Sequence, residues 1–404
     1  MAGRRTRVLV VDHVSKVLGG AEVNVLELLD QPGAREAWDV AAACAPGSPL
    51  AARLAAQGWP VHPHAFAPEL NELRVVGRRF NPVAQLRGWQ ELQRASHRLQ
   101  ALVRETRPDV LLSCTNKDHF AAGAASRALG IAQVWWVNDI LSADFFGWPV
   151  RKMFVARTRA SSPQLAAVSE FGRAALVREG VPAGRVTTVH NGIPLERYRR
   201  DPARPLRRQL GLAEGTPLFG VVGRLTPWKG QEIFLRVAQA WAAAGRPGHF
   251  AVMGGAFNED APYARHLRDF VRDHGLGERV TFVPFAPDVA ALLSSLDALL
   301  HTSTKPEPFG RVLIEAMAAE VPVIAARAGG VPEIVTHGRD GLLVPPGDVA
   351  GYGNALRRMM ESTEERAGWV REARRAVAER FPMSRVLADF RGLLERAVRE
   401  RGGR

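Results

Sequence analysis

Glu307 and Glu315 stand eight residues apart in the segment TKPEPFGRVLIEAMA, with Pro308 and Gly310 between them. Proline suits the first position of a helix, where a backbone N–H has no partner anyway, and glycine permits close approach at the first turn. Two helical turns take about seven residues, so Glu315 projects from nearly the face that Glu307 precedes. The free N–H groups of Phe309, Gly310, Arg311 and Val312 then lie between the two carboxylates. A ligand along this face meets a carboxylate, then amide donors with a positive dipole, then a second carboxylate. That order suits a hydroxyl-rich sugar, a phosphate pair and a ribose. A glycosidase acid/base pair is the other chemistry two carboxylates offer, and the amides between them favour phosphate.

Two further segments carry chemistry of the same kind. Arg224 and Lys229 flank a proline-containing turn in GRLTPWKG, a two-pronged clamp for phosphate oxygens or else two solvated cations. Near the N-terminus, Gly19 and Gly20 enter a helix whose first turn holds Glu22. Glycines there let a backbone approach a ligand and a helix N-terminus favours an anion, although turn chemistry alone accounts for the pair.

The elements that must position these residues alternate from end to end. Strand-like runs fall at residues 7–12, 40–44, 61–64, 109–114, 131–137, 165–169 and 186–190, then at 218–223, 249–253, 280–283, 298–301, 321–325 and 341–344. Most are separated by stretches of helix-forming composition, the pattern of βαβ units and parallel sheets. The reading is α/β, with two doubly wound Rossmann-like domains: residues 1–192, a Pro- and Arg-rich linker at 193–215, and residues 216–381, followed by a helix at 382–404. Ligands of such sheets bind beyond the carboxyl ends of the strands, where the motifs above lie.

Composition narrows the class. The 404 residues are 46% hydrophobic and 24% charged, which excludes collagen-like, coiled-coil and wholly disordered chains. The longest run free of charged residues, 54–68, holds three prolines and cannot span a bilayer. No cleavable leader is readable, so the expected location is cytoplasmic. Cys44 and Cys114 lack metal or redox spacing and read as buried thiols. The net charge of +13 invites a nucleic-acid reading. Only Lys16, Lys117, Lys152, Lys229 and Lys305 are lysines, however, and the arginines are spread over both halves without a recognition module. Residues 78–107 form one local excess, basic and amphipathic, that packs as an ordinary surface helix or touches the inner face of an anionic membrane.

Taken together, the Glu-x7-Glu motif, the following GGVPEIV and DGLLVPPGD segments, GRLTPWKG, HNGI at residues 190–193 and Gly19-Gly20 closely resemble the retaining family 4 glycosyltransferases of GT-B fold. The resemblance covers nearly the whole chain. It implies two Rossmann-like domains facing a cleft, the first presenting a hydroxyl acceptor and the second holding a nucleoside-diphosphate sugar, with the C-terminal helix crossing back to the first. By it, Arg224 and Lys229 take the diphosphate, Glu307 a sugar hydroxyl, the amides of Phe309 to Val312 the sugar and phosphates, and Glu315 the ribose. The leaving charge would be neutralised by Arg224, Lys229, the Gly19-Gly20 backbone and a helix N-terminus, and with no Asp-x-Asp in the chain no metal or other cofactor is expected. A sugar-nucleotide epimerase or a phosphorylase of the same fold is the alternative. Many relatives carry a histidine after the fourth or fifth strand of the first domain, where this chain has Asn116 and Asn138. His119 and Asp139 are the nearest ionisable residues, either acceptor or sugar contacts or merely structural groups. Trp135, Trp136, Phe145, Phe146 and Trp148 offer an aromatic platform or core packing.

Overall fold

The structure, a computed structural model, describes residues 4–14, 18–67, 82–256, 260–286 and 288–402, with side chains of the helix beginning at 82 described from residue 86. Two compact units divide it, Met1–Gly192 with Met383–Arg404 and Ile193–Pro382.

The first unit is a seven-stranded parallel sheet of order β3-β2-β1-β4-β5-β6-β7. Its strands are β1 Thr6–Asp12, β2 Trp38–Cys44, β3 Val61–Pro63, β4 Val110–Ser113, β5 Ala132–Val137, β6 Gln164–Ala167 and β7 Val186–Thr188. Helices cover both faces, so the central strands read as continuous apolar runs rather than alternating ones. Trp135, Phe120 and Phe154 pack edge to face within this core. Trp136 lies 4.3 Å from the ring of Phe390 on the helix Met383–Gly402, which docks through Val386, Phe390, Leu393 and Leu394.

The second unit is a six-stranded parallel sheet of order β10-β9-β8-β11-β12-β13. The strands are β8 Leu218–Val222, β9 His249–Met253, β10 Val280–Val283, β11 Ala298–His301, β12 Val323–Ala326 and β13 Leu342–Val344. Each of the thirteen stretches expected from periodicity overlaps one of these thirteen strands, with β1, β2, β6 and β12 reaching one or two residues beyond the expected bounds. In both sheets the order reverses beside the first strand in sequence, between β1 and β4 and between β8 and β11. The carboxyl ends of those strands are the switch points at which doubly wound sheets bind ligands.

Residues 193–215, expected as a linker, pack into the second unit instead. Tyr198 and Leu206 are buried there, and Arg204 and Arg207 both pair with Asp297, at 2.6 and 2.9 Å. The arginines that read as a break in periodicity are anchors whose partner lies about 90 residues on.

Of the basic amphipathic segment, residues 78–81 lie outside the described residues, and the rest forms the helix Pro82–Thr106. Leu99 and Val103 enter the core beside Leu9 and Leu111, while Leu86 and Trp89 are 56% and 53% exposed.

Candidate active site

In the second unit, β8 ends at Val222 and runs through Gly223 and Arg224 into a short turn, Pro227–Lys229, closed by Gly230 at φ +68°. A Cβ at Gly230 would lie 2.0 Å from the carbonyl oxygen of Thr302, so only glycine lets this turn press against the segment after β11. Three bonds fasten the approach: Thr304 N–H and the Thr304 hydroxyl to the Trp228 carbonyl at 2.8 and 3.2 Å, and the Thr302 hydroxyl to the Lys229 carbonyl at 3.2 Å. Lys229 is thereby aimed across the gap at Glu307, with Nζ 2.9 Å from Oε1 and 2.8 Å from Oε2.

Glu307 is set from its other side by Gly329, at φ +67°, where a Cβ would stand 2.1 Å from the Glu307 carbonyl oxygen. Gly330 N–H donates to that same oxygen at 2.8 Å. The carboxylate is buried and receives Lys229, His301 Nε2 at 3.1 Å and the Ser303 hydroxyl at 3.0 Å. Burial alone would raise its pKa. The Lys229 charge and the His301 bond outweigh burial and hold the carboxyl well below the usual range.

The helix after Glu307 does not open at Pro308. It runs Arg311–Ala318, with Gly310 at φ +101° as its N-cap. A left-handed glycine turns the chain before the helix can start, so the amides at its mouth begin at Gly310 and Arg311. Glu315, inside this helix, is buried and accepts from Arg311 Nε at 2.7 Å and from the Tyr198 hydroxyl at 3.1 Å, both on Oε1. Arg224 is partly exposed and stands 3.5 Å from Asp260.

The first unit brings together a set that sequence reasoning missed. Asp118 is fully buried and accepts from the His13 backbone N–H at 3.1 Å, His13 Nδ1 at 2.9 Å, His64 Nε2 at 3.0 Å and the Thr115 hydroxyl at 2.8 Å. Burial would raise this carboxyl, and the two histidines overcome it and hold it far below the usual range. Asp12 behaves oppositely: burial and the nearby charges of Glu22 and Asp118 raise it well above the carboxylate range. The available signal was position, since Asp12 ends β1, His13 follows it and Asp118 comes after β4, at the switch point of the sheet.

Other expectations for this unit change. The Gly19 amide is engaged, donating to Glu22 Oε2 at 2.6 Å in a capping box, while a Cβ at Gly20 would meet nothing within 4 Å. His119 is a core residue: 1% exposed, stacked 5.0 Å from Trp135, bonded to the Ser113 hydroxyl and lowered by burial to about 3. An imidazole so enclosed does not reach a substrate. Asp139 is exposed and accepts from Asn116 Nδ2 at 2.8 Å. Trp135 and Trp136 are buried, so neither forms an aromatic platform, whereas Trp148 is 64% exposed. Among the described residues no three His, Cys, Asp or Glu side chains cluster as a metal site.

Two doubly wound parallel sheets, the second bearing a paired Lys–Glu at its switch point and a glycine-capped helix behind it, define a GT-B glycosyltransferase scaffold. The chain superposes on Anabaena Alr3699/HepE, solved with UDP and glucose, with a TM-score of 0.84 and 26% identity, covering 97% of this chain and all of that one. Residues 203–376 match the model of glycosyl transferases group 1, and residues 49–197 match that of glycosyltransferase family 4. The chain thus carries a domain matching each of these two glycosyltransferase models. A D-inositol 3-phosphate glycosyltransferase 2 of Catenulispora acidiphila is 34% identical over 239 residues, 54% of this chain and 55% of that protein. A D-inositol 3-phosphate glycosyltransferase of Mycolicibacterium paratuberculosis is 32% identical over 219 residues, 54% of this chain and 48% of that protein. The chain thus spans about half the length of the curated relatives it matches.

Proposed function

We propose that this chain is a retaining, metal-independent glycosyltransferase that moves a hexose-type sugar from a nucleoside-diphosphate sugar to a hydroxyl acceptor. The observation that carries the reading is the Lys229–Glu307 pair beside the amides that open the helix Arg311–Ala318. An arriving diphosphate draws Lys229 from Glu307 and receives Arg224 and the helix amides, while the freed carboxylate accepts sugar hydroxyls. Glu315 has Oε1 occupied by Arg311 and Tyr198 and offers Oε2 to a ribose hydroxyl. Two cations and a helix N-terminus meet the leaving charge, so bond cleavage asks for no divalent ion. In the retaining course the acceptor attacks on the face from which the nucleotide departs, and no enzymic nucleophile takes part.

UDP-glucose is the donor we assign first, because Alr3699/HepE was solved with UDP and with UDP-glucose. D-inositol 3-phosphate leads the acceptor class, from the names of the curated relatives. We place the enzyme in the cytoplasm. Among the described residues no helix is long and apolar enough to cross a membrane. Exposed Leu86 and Trp89 beside Arg87 and Arg94 on one helix favour a peripheral contact with an anionic bilayer. A thermal-shift panel of UDP-, GDP- and ADP-glucose tests the donor reading, since a ligand that binds only the native state raises its melting temperature. No shift with any of the three refutes it.

A further inference from the structure

Glu307 is held unevenly. Oε2 takes three donors, Lys229 at 2.8 Å, His301 Nε2 at 3.1 Å and Ser303 at 3.0 Å, whereas Oε1 takes Lys229 alone at 2.9 Å. His301 is the last residue of β11 and is 4% exposed. The Tyr352 hydroxyl donates to its carbonyl at 2.7 Å and fixes its backbone. Its Nδ1 is buried with no hydrogen-bond partner among the described residues. A buried polar atom left unpaired is unfavourable, and an apolar side chain would fill this strand end without it. The contacts that explain an imidazole here are those its other nitrogen makes, with Glu307 Oε2 at 3.1 Å and with the Ser303 hydroxyl at 3.3 Å. Because Nε2 faces a carboxylate, it carries the hydrogen.

We propose that His301 is the positioning residue that aims Glu307 at the donor sugar once Lys229 has turned to the diphosphate. The inference rests on the donor reading above. When Lys229 leaves, Oε1 loses its one donor while His301 and Ser303 still grip Oε2. The carboxylate is then held by one oxygen and presents the other, Oε1, to a sugar hydroxyl. Without His301, Glu307 keeps only the Ser303 hydroxyl, its orientation is no longer fixed, and the sugar loses a preorganised acceptor.

The experiment compares UDP with UDP-glucose by titration calorimetry on the full chain, since only the second carries the sugar. His301→Leu is expected to weaken UDP-glucose about tenfold, or roughly 1.4 kcal/mol, while UDP stays within about twofold of wild type. His301→Gln, whose amide nitrogen reaches the Nε2 position, restores most of the loss. His301→Asn, whose shorter amide does not reach Oε2, repeats the defect with a polar side chain should leucine fail to fold. Equal weakening of both ligands, or of neither, overturns the role of His301. Glu307→Gln separates the two ideas: if it leaves the ratio of the two affinities at the wild-type value, the reading of Glu307 itself is wrong. If Glu307→Gln changes that ratio and the His301 variants do not, only the positioning role fails. A chain that binds neither ligand overturns both.

Discussion

Replacing Lys229 with methionine removes the cation from a buried carboxylate while keeping most of the side-chain volume. Lys229 is 22% exposed at its side chain and Glu307 is 9% exposed, so the pair is largely desolvated. Breaking a buried pair from one side costs about 3–5 kcal/mol, because the remaining charge is left uncompensated. His301 and Ser303 still hold Oε2, which places the expected loss near the low end, about 3 kcal/mol. For a unit of this size that is a fall in melting temperature of roughly 6–12 °C. The Glu307 carboxyl is held below its usual range chiefly against burial, by Lys229 and His301. A depressed folded pKa stabilises above the unfolded carboxylate value, about 4.3, and that stabilisation is lost as pH falls toward the folded value. The gap between wild type and Lys229→Met should therefore be complete at neutral pH and narrow below about pH 4. The double variant with Glu307→Gln should recover much of the loss, since it removes the orphaned charge. In calorimetry the same substitution removes one charge-assisted phosphate contact, about 1.5–3 kcal/mol. The donor must break the ion pair to gain that contact, so a net weakening of about tenfold is expected. A single variant that melts within 1 °C of wild type at pH 7 (on the order of the scatter expected for a neutral surface change), or that binds the donor normally, refutes the reasoning.

Gly329→Ala puts a Cβ against the Glu307 backbone at φ +67°, so a loss of about 2–3 kcal/mol is expected in denaturant unfolding of the second unit, together with weaker donor binding. Normal stability would show that Gly329 does not set Glu307. If Arg224, Lys229 and helix amides meet the leaving charge as proposed, transfer should persist in EDTA; activity lost on chelation and restored by Mg²⁺ or Mn²⁺ would count against this. Sedimentation with anionic vesicles at low salt should fall when Arg87 and Arg94 become Gln and Trp89 becomes Ser, with donor affinity unchanged. Wild-type protein that stays in the supernatant at low salt makes a soluble acceptor the better inference.

The residues themselves determined the alternation of thirteen strands with helices and the two-sheet α/β class, because strands buried on both faces must be continuously apolar and their neighbours amphipathic. They also placed Arg224, Lys229, Glu307 and Glu315 in segments that follow strands, a matter of local order along the chain. Tertiary structure decided what those groups do to one another. Lys229 and Glu307 lie 78 residues apart and meet only because Gly230 and Gly329 remove two Cβ atoms from the approach of their loops. His301 reads as the end of an apolar strand and His119 as a candidate beside a helix start. Burial reverses that order, sending His119 against Trp135 and His301 onto Glu307. The Asp118 cluster escaped for the same reason: His13 and His64 reach Asp118 across 105 and 54 residues, and composition and periodicity carry no record of such distances. Hydrophobic patterning is local and therefore legible, whereas the partner of a charge is set by how the sheets close and is read only in three dimensions.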